Sequence, residues 1–336
     1  WREVTSATGV VTCDPWPADG YRGADCAWDE AHLAGTPGCA RIGTACPADG
    51  WPADLPSDRP IVYVDDDAAP GGDGASRATA FATILDATVL APEGAVIAVA
   101  AGRYDEAVRV LAGMTIWGAC VSGTRIVTSA PSETEAALTL VEDRAGATNL
   151  GIDAPARVGI AAIGVSDGSL DAIVVAAARV FGLYVRDGSL TASDIVVRGT
   201  RERASDGTGG RGVDVEPGAQ LSLSRALLED NREHGFFVTG AGTSVEATDV
   251  VVRGTRERAS DGMLGRGVNV REGAQLSLSR TFVEDSRSGG LFVGGTGTSV
   301  EASDLIVRNT MPQASDGAFG AGVWAQDGAR LIVSRA

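Results

Sequence analysis

The chain has 336 residues, of which 44% are apolar, and it carries 45 glycines but few aromatics. No run approaches the roughly 20 apolar residues that a membrane span needs, and a net charge of −16 disfavours nucleic acid and anionic membranes as partners. All 28 basic residues are arginine, so chemistry that needs a lysine base is excluded.

Residues 1–60 differ from the rest. Cys13, Cys26, Cys39 and Cys46 lie among Pro, Gly, Asp and Trp, as in C-D-P-W-P and A-C-P-A-D-G-W-P. Four cysteines in such a stretch predict a small loop-rich head stapled by two disulfides in an oxidising compartment, with three connectivities open. A metal site is the weaker reading: there is no C-x-x-C pair, and His32 is the only nearby histidine. Cys120, inside the apolar run T-I-W-G-A-C-V, reads as a buried core thiol. Pro52, Pro56 and Pro60 predict a stiff link out of the head. The chain starts at Trp1 without a methionine or signal peptide, so the expectation is a removed leader or a piece of a longer protein.

Residues 61–118 open a second domain expected over 61–336. I-V-Y-V (61–64) is a strand. An acidic turn-rich loop follows, and its Asp65, Asp66, Asp67 and Asp73 form the densest carboxylate cluster. Hard oxygens at that density suit calcium, the one cofactor the sequence admits, although the strict calcium-loop spacing is absent. F-A-T-I-L-D-A-T-V-L-A (81–91) places Phe81, Ile84, Leu85 and Thr88/Val89 on one face of a short helix, expected to plug the N-terminal end of the fold. P-E-G-A-V-I-A-V-A-A-G-R-Y-D-E-A-V then reads as strand, glycine turn, strand.

The order V-Y-V-D, G-x-D-G, F-A-T-I and P-E-G-A-V-I-A-V-A-A-G-R-Y-D-E resembles the N-terminal segment of secreted right-handed parallel β-helix proteins of the pectin-lyase-like superfamily. The resemblance covers Ile61 to Ala336, and the cysteine-rich head lies outside it. Chains that combine such a head with a β-helix look like surface proteins of high-GC bacteria. The superfamily holds polysaccharide lyases, hydrolases, esterases and epimerases. The N-T-D, G-H-G and R-I-K motifs of its polygalacturonase-like hydrolases are absent here; the nearest text is E-H-G-F at 233–236. The G-x-x-D-F-I-F-G of pectin methylesterases and the D-P-H of mannuronan epimerases are absent too. Lyases that pair an arginine base with calcium-bound carboxylates are not distinguished by motif.

Residues 119–188 carry plausible strands, such as A-A-L-T-L-V and G-L-Y-V, without a regular register. Residues 189–336 repeat. V-V-R-G-T-R-E-R-A-S-D-G at 196–207 recurs letter for letter at 251–262, and Asp194, Asp249 and Asp304 mark a 55-residue period. A fixed period of this kind signals a solenoid. Each unit overlays on itself at steps of 31 and 24 residues, so it is two coils, one with about seven extra residues. The predicted fold is all-β: a right-handed parallel β-helix with a short N-terminal capping helix and a disulfide-stapled head. The third copy stops in mid-coil without a capping segment, so the natural chain is expected to continue.

The overlay defines two columns down the stack. One reads Arg198, Glu229, Arg253, Glu284, Arg308; the other reads Asp194, Arg225, Asp249, Arg280, Asp304, Arg335. Both alternate in sign at every rung, and opposite charges on neighbouring strands stabilise. These residues are therefore assigned to charge ladders and not to catalysis. His234, the only histidine of the solenoid, is expected as a solvated turn residue, and no residue is assigned a catalytic role.

The extra residues of the longer coil carry A-S-D-G. They put Ser205, Asp206, Ser260, Asp261, Ser315 and Asp316 in a row on one side, every second rung, as a candidate surface for a linear glycan. The functional expectation is a non-enzymatic secreted or cell-surface protein, structural or adhesive, that contacts extracellular polysaccharide or another surface component. The alternatives are a calcium-assisted polysaccharide lyase and a filament subunit that associates end to end. Near-identical copies add length and valency, whereas a catalytic site needs one unique constellation.

Overall fold

The Val/Leu/Ile runs form strands because their branched side chains suit a pleated, half-buried surface. The computed structural model describes residues 1–5, 9, 11–16 and 26–335, apart from the side chains of residues 12 and 13. Two parallel sheets of 13 and 9 strands build the body. The ten-residue strands Ser189–Arg198, Gln220–Glu229, Ser244–Arg253, Gln275–Glu284 and Ser299–Arg308 are successive neighbours in the larger sheet. Strands Phe181–Arg186, Arg211–Val215, His234–Thr239, Arg266–Arg271, Gly289–Gly294 and Ala321–Gln326 succeed one another in the smaller. The chain visits the two sheets alternately and advances one rung per coil: a right-handed parallel β-helix.

The interior is a stack of in-register apolar columns. Leu190, Leu221, Val245, Leu276 and Val300 are consecutive partners, all buried. Along one strand Leu190 and Ala192 face inward, and so do Ile195 and Val197, so the alternation slips by one residue at Asp194. Asp194 has φ +52°, and Arg225, Asp249, Arg280, Asp304 and Arg335 share this left-handed backbone. That conformation costs an L-residue about 1 kcal/mol and is easiest for Asp and Asn. The second charge column therefore also marks a corner, where the strand bends to keep both halves facing the core. On the inner side of the smaller sheet, a Cβ on Gly235 would stand 2.8 Å from both Gly267 O and Thr255 Oγ1, so only glycine fits.

Arg198, Glu229, Arg253, Glu284 and Arg308 are Cα partners on five successive rungs. Arg198 lies 3.1 Å from Glu229, Arg253 2.5 Å from Glu229, and Arg308 2.9 Å from Glu284. In the corner column the ion pairs Arg225–Asp194, Arg280–Asp249 and Arg335–Asp304 run 2.6–2.8 Å and span the 31-residue steps.

The helix Ile84–Leu90 packs on the first strands. Thr83 caps it by accepting from Asp86 N, and Glu106 accepts from the N–H groups of Ile84 and Leu85 at 2.8 Å. Its buried residues are Ile84, Ala87 and Thr88. This corrects the expected face: Leu85 and Val89 are 44% and 66% exposed. The helix meets the coil along an i, i+3, i+4 stripe whose middle member is a small alanine.

The cysteine-rich segment runs down the flank of the coil, opposite in direction to the growth of the rungs. Gly50 O accepts from Ala101 N, Thr44 contacts Asn149, Glu30 O accepts from Arg198, and Trp16 packs edge-on against Phe282 at 5.1 Å. Val174, Val196, Leu227, Val251 and Phe282 point outward from the larger sheet and are buried under Trp16, Leu33 and Ile42. Asn149 anchors this contact with every polar atom used: Oδ1 accepts from Thr44 N, and Nδ2 donates to Thr44 Oγ1, Gly118 O and Ala119 O.

The disulfides correct the cysteine expectation. Cys26 pairs with Cys39 inside the head, but Cys46 pairs with Cys120, which is therefore not a free core thiol. The flank position is the reason: it brings the two Cα atoms to 4.9 Å across a separation of 74 residues. The side chain of Cys13 lies outside the described residues. Among the described residues no helix is long and apolar enough to cross a membrane.

Candidate ligand-binding face

The smaller sheet turns two columns of side chains outward. One reads Phe181, Arg211, His234, Arg266, Gly289, Ala321 and the other Tyr184, Asp214, Phe237, Asn269, Phe292, Trp324. Aromatic, charged and amide groups thus follow one another at roughly 4.8 Å per rung; Asp214, His234, Phe237, Asn269 and Phe292 are buried, whereas Tyr184, Arg211, Arg266 and Trp324 are part-exposed. The A-S-D-G loops wall one side of these columns.

Each loop is held by its aspartate. Asp206 accepts from Thr208 N at 2.9 Å and from Arg203, Asp261 from Met263 N at 3.0 Å and from Arg258, and Asp316 from Ala318 N at 2.8 Å and from Gln313. Gln313 thereby takes the place of the two arginines in the third copy. The backbone N–H of Thr208 holds the Asp206 carboxyl below its ordinary range, and that of Ala318 does the same for Asp316; at Asp261 the Arg258 hydrogen bond is the main cause. The serines join the loops to each other. Ser205 donates N–H and Oγ–H to Glu133, Ser260 Oγ donates to Gly207 O, and Ser315 N donates to Gly262 O. The row expected as a ligand surface is thus a stacked wall whose polar groups also fix its shape.

Beneath the wall the first copy pairs its arginine with two carboxylates. Arg211 lies 2.7 Å from Asp214 Oδ2 and 2.8 Å from Glu233 Oε1, and Gly209 N donates to Glu233 Oε2 at 2.7 Å. The Arg211 guanidinium stands over Phe237 at 4.2 Å. Burial raises the Asp214 carboxyl to about 7, against the pull of Arg211. His234 is 2% exposed, not the solvated turn residue expected, because the loops fold over it. Its ring stacks on Phe237 at 4.9 Å, and its Nε2 lies 3.1 Å from Asn269 Nδ2. Burial and the surrounding arginines, Arg211 first, hold it well below the usual histidine range, so it is a neutral packing group. Tyr184 donates to Glu216 at 2.8 Å, and burial raises its hydroxyl to about 12. Asp214 and His234 are thus both buried beneath the wall.

Towards the later rungs the face becomes aromatic. Phe292 and Trp324 meet at 5.8 Å, and Phe319, 48% exposed, reaches Trp324 at 5.1 Å. Phe319 holds φ +65° where the equivalent loop positions carry Leu264 and Gly209. The signal for these columns was in the sequence: aromatic residues recur at Phe237, Phe292 and Trp324, each three residues after a member of the first outward column.

The expected calcium ligands sit at the other end of the molecule. Asp65, Asp66 and Asp67 can bring one oxygen each within 4.8 Å of one another, and their chemistry fits a hard cation. Asp73 is not one of this group and accepts from Ala75 N at 3.0 Å.

No protein-family model and no curated protein matches the sequence. Among solved structures, the chain is similar to the pectate lyase Pel9A, at 15% identity and a TM-score of 0.64, over 87% of this chain and 81% of that one. It is also similar to the ORF18 protein of Geobacillus virus E2, at 13% identity and a TM-score of 0.54, over 81% of this chain and 62% of that one. These likenesses concern the fold alone: the chain is a parallel β-helix.

Proposed function

We propose that this protein is a polysaccharide-binding β-helix without a catalytic role, which works outside the cytoplasm as a rigid structural or adhesive module. The observation that carries the reading is the outer face of the smaller sheet. Tyr184, Trp324 and the loop residue Phe319 are its part-exposed aromatic groups, and Arg211 and Arg266 stand part-exposed on the rungs between, along a wall of stacked loops. A straight, regularly spaced face suits a linear ligand, and aromatic plates with a few fixed polar groups suit sugar rings. Disulfides fit an oxidising compartment, and the similar pectate lyase is a polysaccharide-active protein by name. A glycan array with the intact protein tests the reading. Binding to a linear polysaccharide, weakened in Phe319→Ala and Trp324→Ala, is expected, with no unsaturated or reducing-end product. Turnover of any bound glycan would replace the reading with an enzymatic one.

A further inference from the structure

The duplication contains its own control. Arg211 and Arg266 occupy the same position in successive copies, 55 residues apart, on the same outward column. Arg211 is neutralised by Asp214 and Glu233. In the second copy the chain keeps the arginine and replaces both carboxylates, by Asn269 and Ser288. His234 is replaced by Gly289, where an added Cβ would find nothing nearer than Arg266 Cγ at 3.8 Å. The Arg266 guanidinium lies over Phe292 at 3.7 Å and makes no hydrogen bond or ion pair with any described residue. Burial, with Arg271 nearby, pushes it down to about 10, and no carboxylate offsets that.

A half-buried guanidinium without a counter-ion is costly, and removing the partner of a buried charge usually destabilises more than removing the pair. The second copy has nevertheless lost only the acidic members. We propose that Arg266, stacked on Phe292, is an oxyanion site that takes the carboxylate of an acidic sugar. The planar fork of arginine matches a carboxylate with two parallel hydrogen bonds. Trp324 and Phe319, on the rungs above, offer a plate for the sugar ring. The proposal rests on the polysaccharide reading and names the chemical class bound at one rung of that face. The protein's overall negative charge does not oppose it at contact, because exposed charges beyond about 8 Å are largely screened at physiological salt.

The test is calorimetric titration of the folded protein with glucuronate, glucose and sulfate, on wild type, Arg266→Gln and the double variant Asn269→Asp/Ser288→Glu. The double variant restores the two carboxylate partners of the first copy. Ser288 already has φ +60° and Glu233, its counterpart, φ +53°, so glutamate fits that backbone. Wild type is expected to bind glucuronate and not glucose, with affinity at least tenfold lower in both variants and a higher melting temperature for the double variant. That last result shows that lost binding is not lost folding. Equal affinity in wild type and double variant, equal binding of glucose or sulfate, or no glucuronate binding would each overturn the site. Glycan-array binding that persists without any glucuronate preference would sink this inference and leave the polysaccharide reading standing.

Discussion

The two outer flanks of the coil are made by the same repeat and have opposite chemistry. On the larger sheet the outward residues are Val196, Leu227, Val251 and Phe282, and the head seals them under Trp16, Leu33 and Ile42. On the smaller sheet the outward residues are aromatic, cationic and amide groups, and only loops of the repeat itself lean over them. One flank is sealed by the head, and the other only by the repeat's own loops, which leave Tyr184, Arg211, Arg266 and Trp324 part-exposed. A parallel β-helix must cover or polarise every outward column: beside the sealed column the larger sheet carries the exposed polar column Thr191, Ser222, Glu246, Ser277 and Glu301.

Substitutions on the two flanks break this comparison. Val251→Asp would bury a carboxylate between head and coil with no partner, at a cost of about 3–5 kcal/mol. Trp324→Ala on the opposite flank should leave the melting temperature nearly unchanged while it weakens glycan binding. A similar melting temperature for Val251→Asp and wild type would mean that the head does not seal the flank in solution. Next in size is the staple. The bond from Cys46 to Cys120 closes 74 residues of chain, for which the chain-entropy argument gives at most about 4.5 kcal/mol. The double variant Cys46→Ser/Cys120→Ser should melt earlier and expose the head to limited proteolysis before the coil. Simultaneous digestion of head and coil would show that the two do not come apart.

The body of the fold was legible because near-identical copies expose their own register: V-V-R-G-T-R-E-R-A-S-D-G recurs, and sign alternation follows from the overlay. The head was not, because its position depends on long-range contacts that no local pattern encodes. A signal did exist. I-V-V, L-L, V-V-V and F-V leave no polar residue on either face just before the Arg198 column, and a strand apolar on both faces is covered on both. The Cys46–Cys120 pair follows only once that cover is recognised. His234 was misread for a related reason: its burial comes from loops that belong to neighbouring coils. The Arg211 and Arg266 environments were written in the sequence as Asp214 against Asn269 and Glu233 against Ser288. Those differences acquire meaning only when the outward columns are known.

Charge register gives a smaller effect. Arg253 is mostly buried between neighbours on adjacent rungs, 2.5 Å from Glu229 and in register with Glu284. Arg253→Glu would set three carboxylates in register, and should cost about 1–2 kcal/mol more than Arg253→Ala. Adding Glu284→Arg should recover part of that loss. Equal melting temperatures for the two single variants would mean that alternation of sign adds nothing beyond side-chain packing.

The last signal is a slope with pH, and it separates the buried charges of the binding flank from its exposed ones. Burial raises the Asp214 carboxyl to about 7 in the folded state, above its unfolded value. The folded protein then holds a proton that the unfolded chain has released, so the contribution is fully present below about pH 4 and is lost as the pH rises through 7. Asp206, Asp261 and Asp316 are shifted downward and act in the opposite sense, favouring the fold above their unfolded range. Asp214→Asn removes only the first component. Between pH 4 and 7 the wild type should therefore lose melting temperature relative to Asp214→Asn, whatever the offset between the two curves. If the wild type gains instead, attraction to Arg211 at 2.7 Å outweighs burial, and the first copy holds a true internal ion pair. That result would also sharpen the contrast with Arg266, which stands in the same place without such a partner.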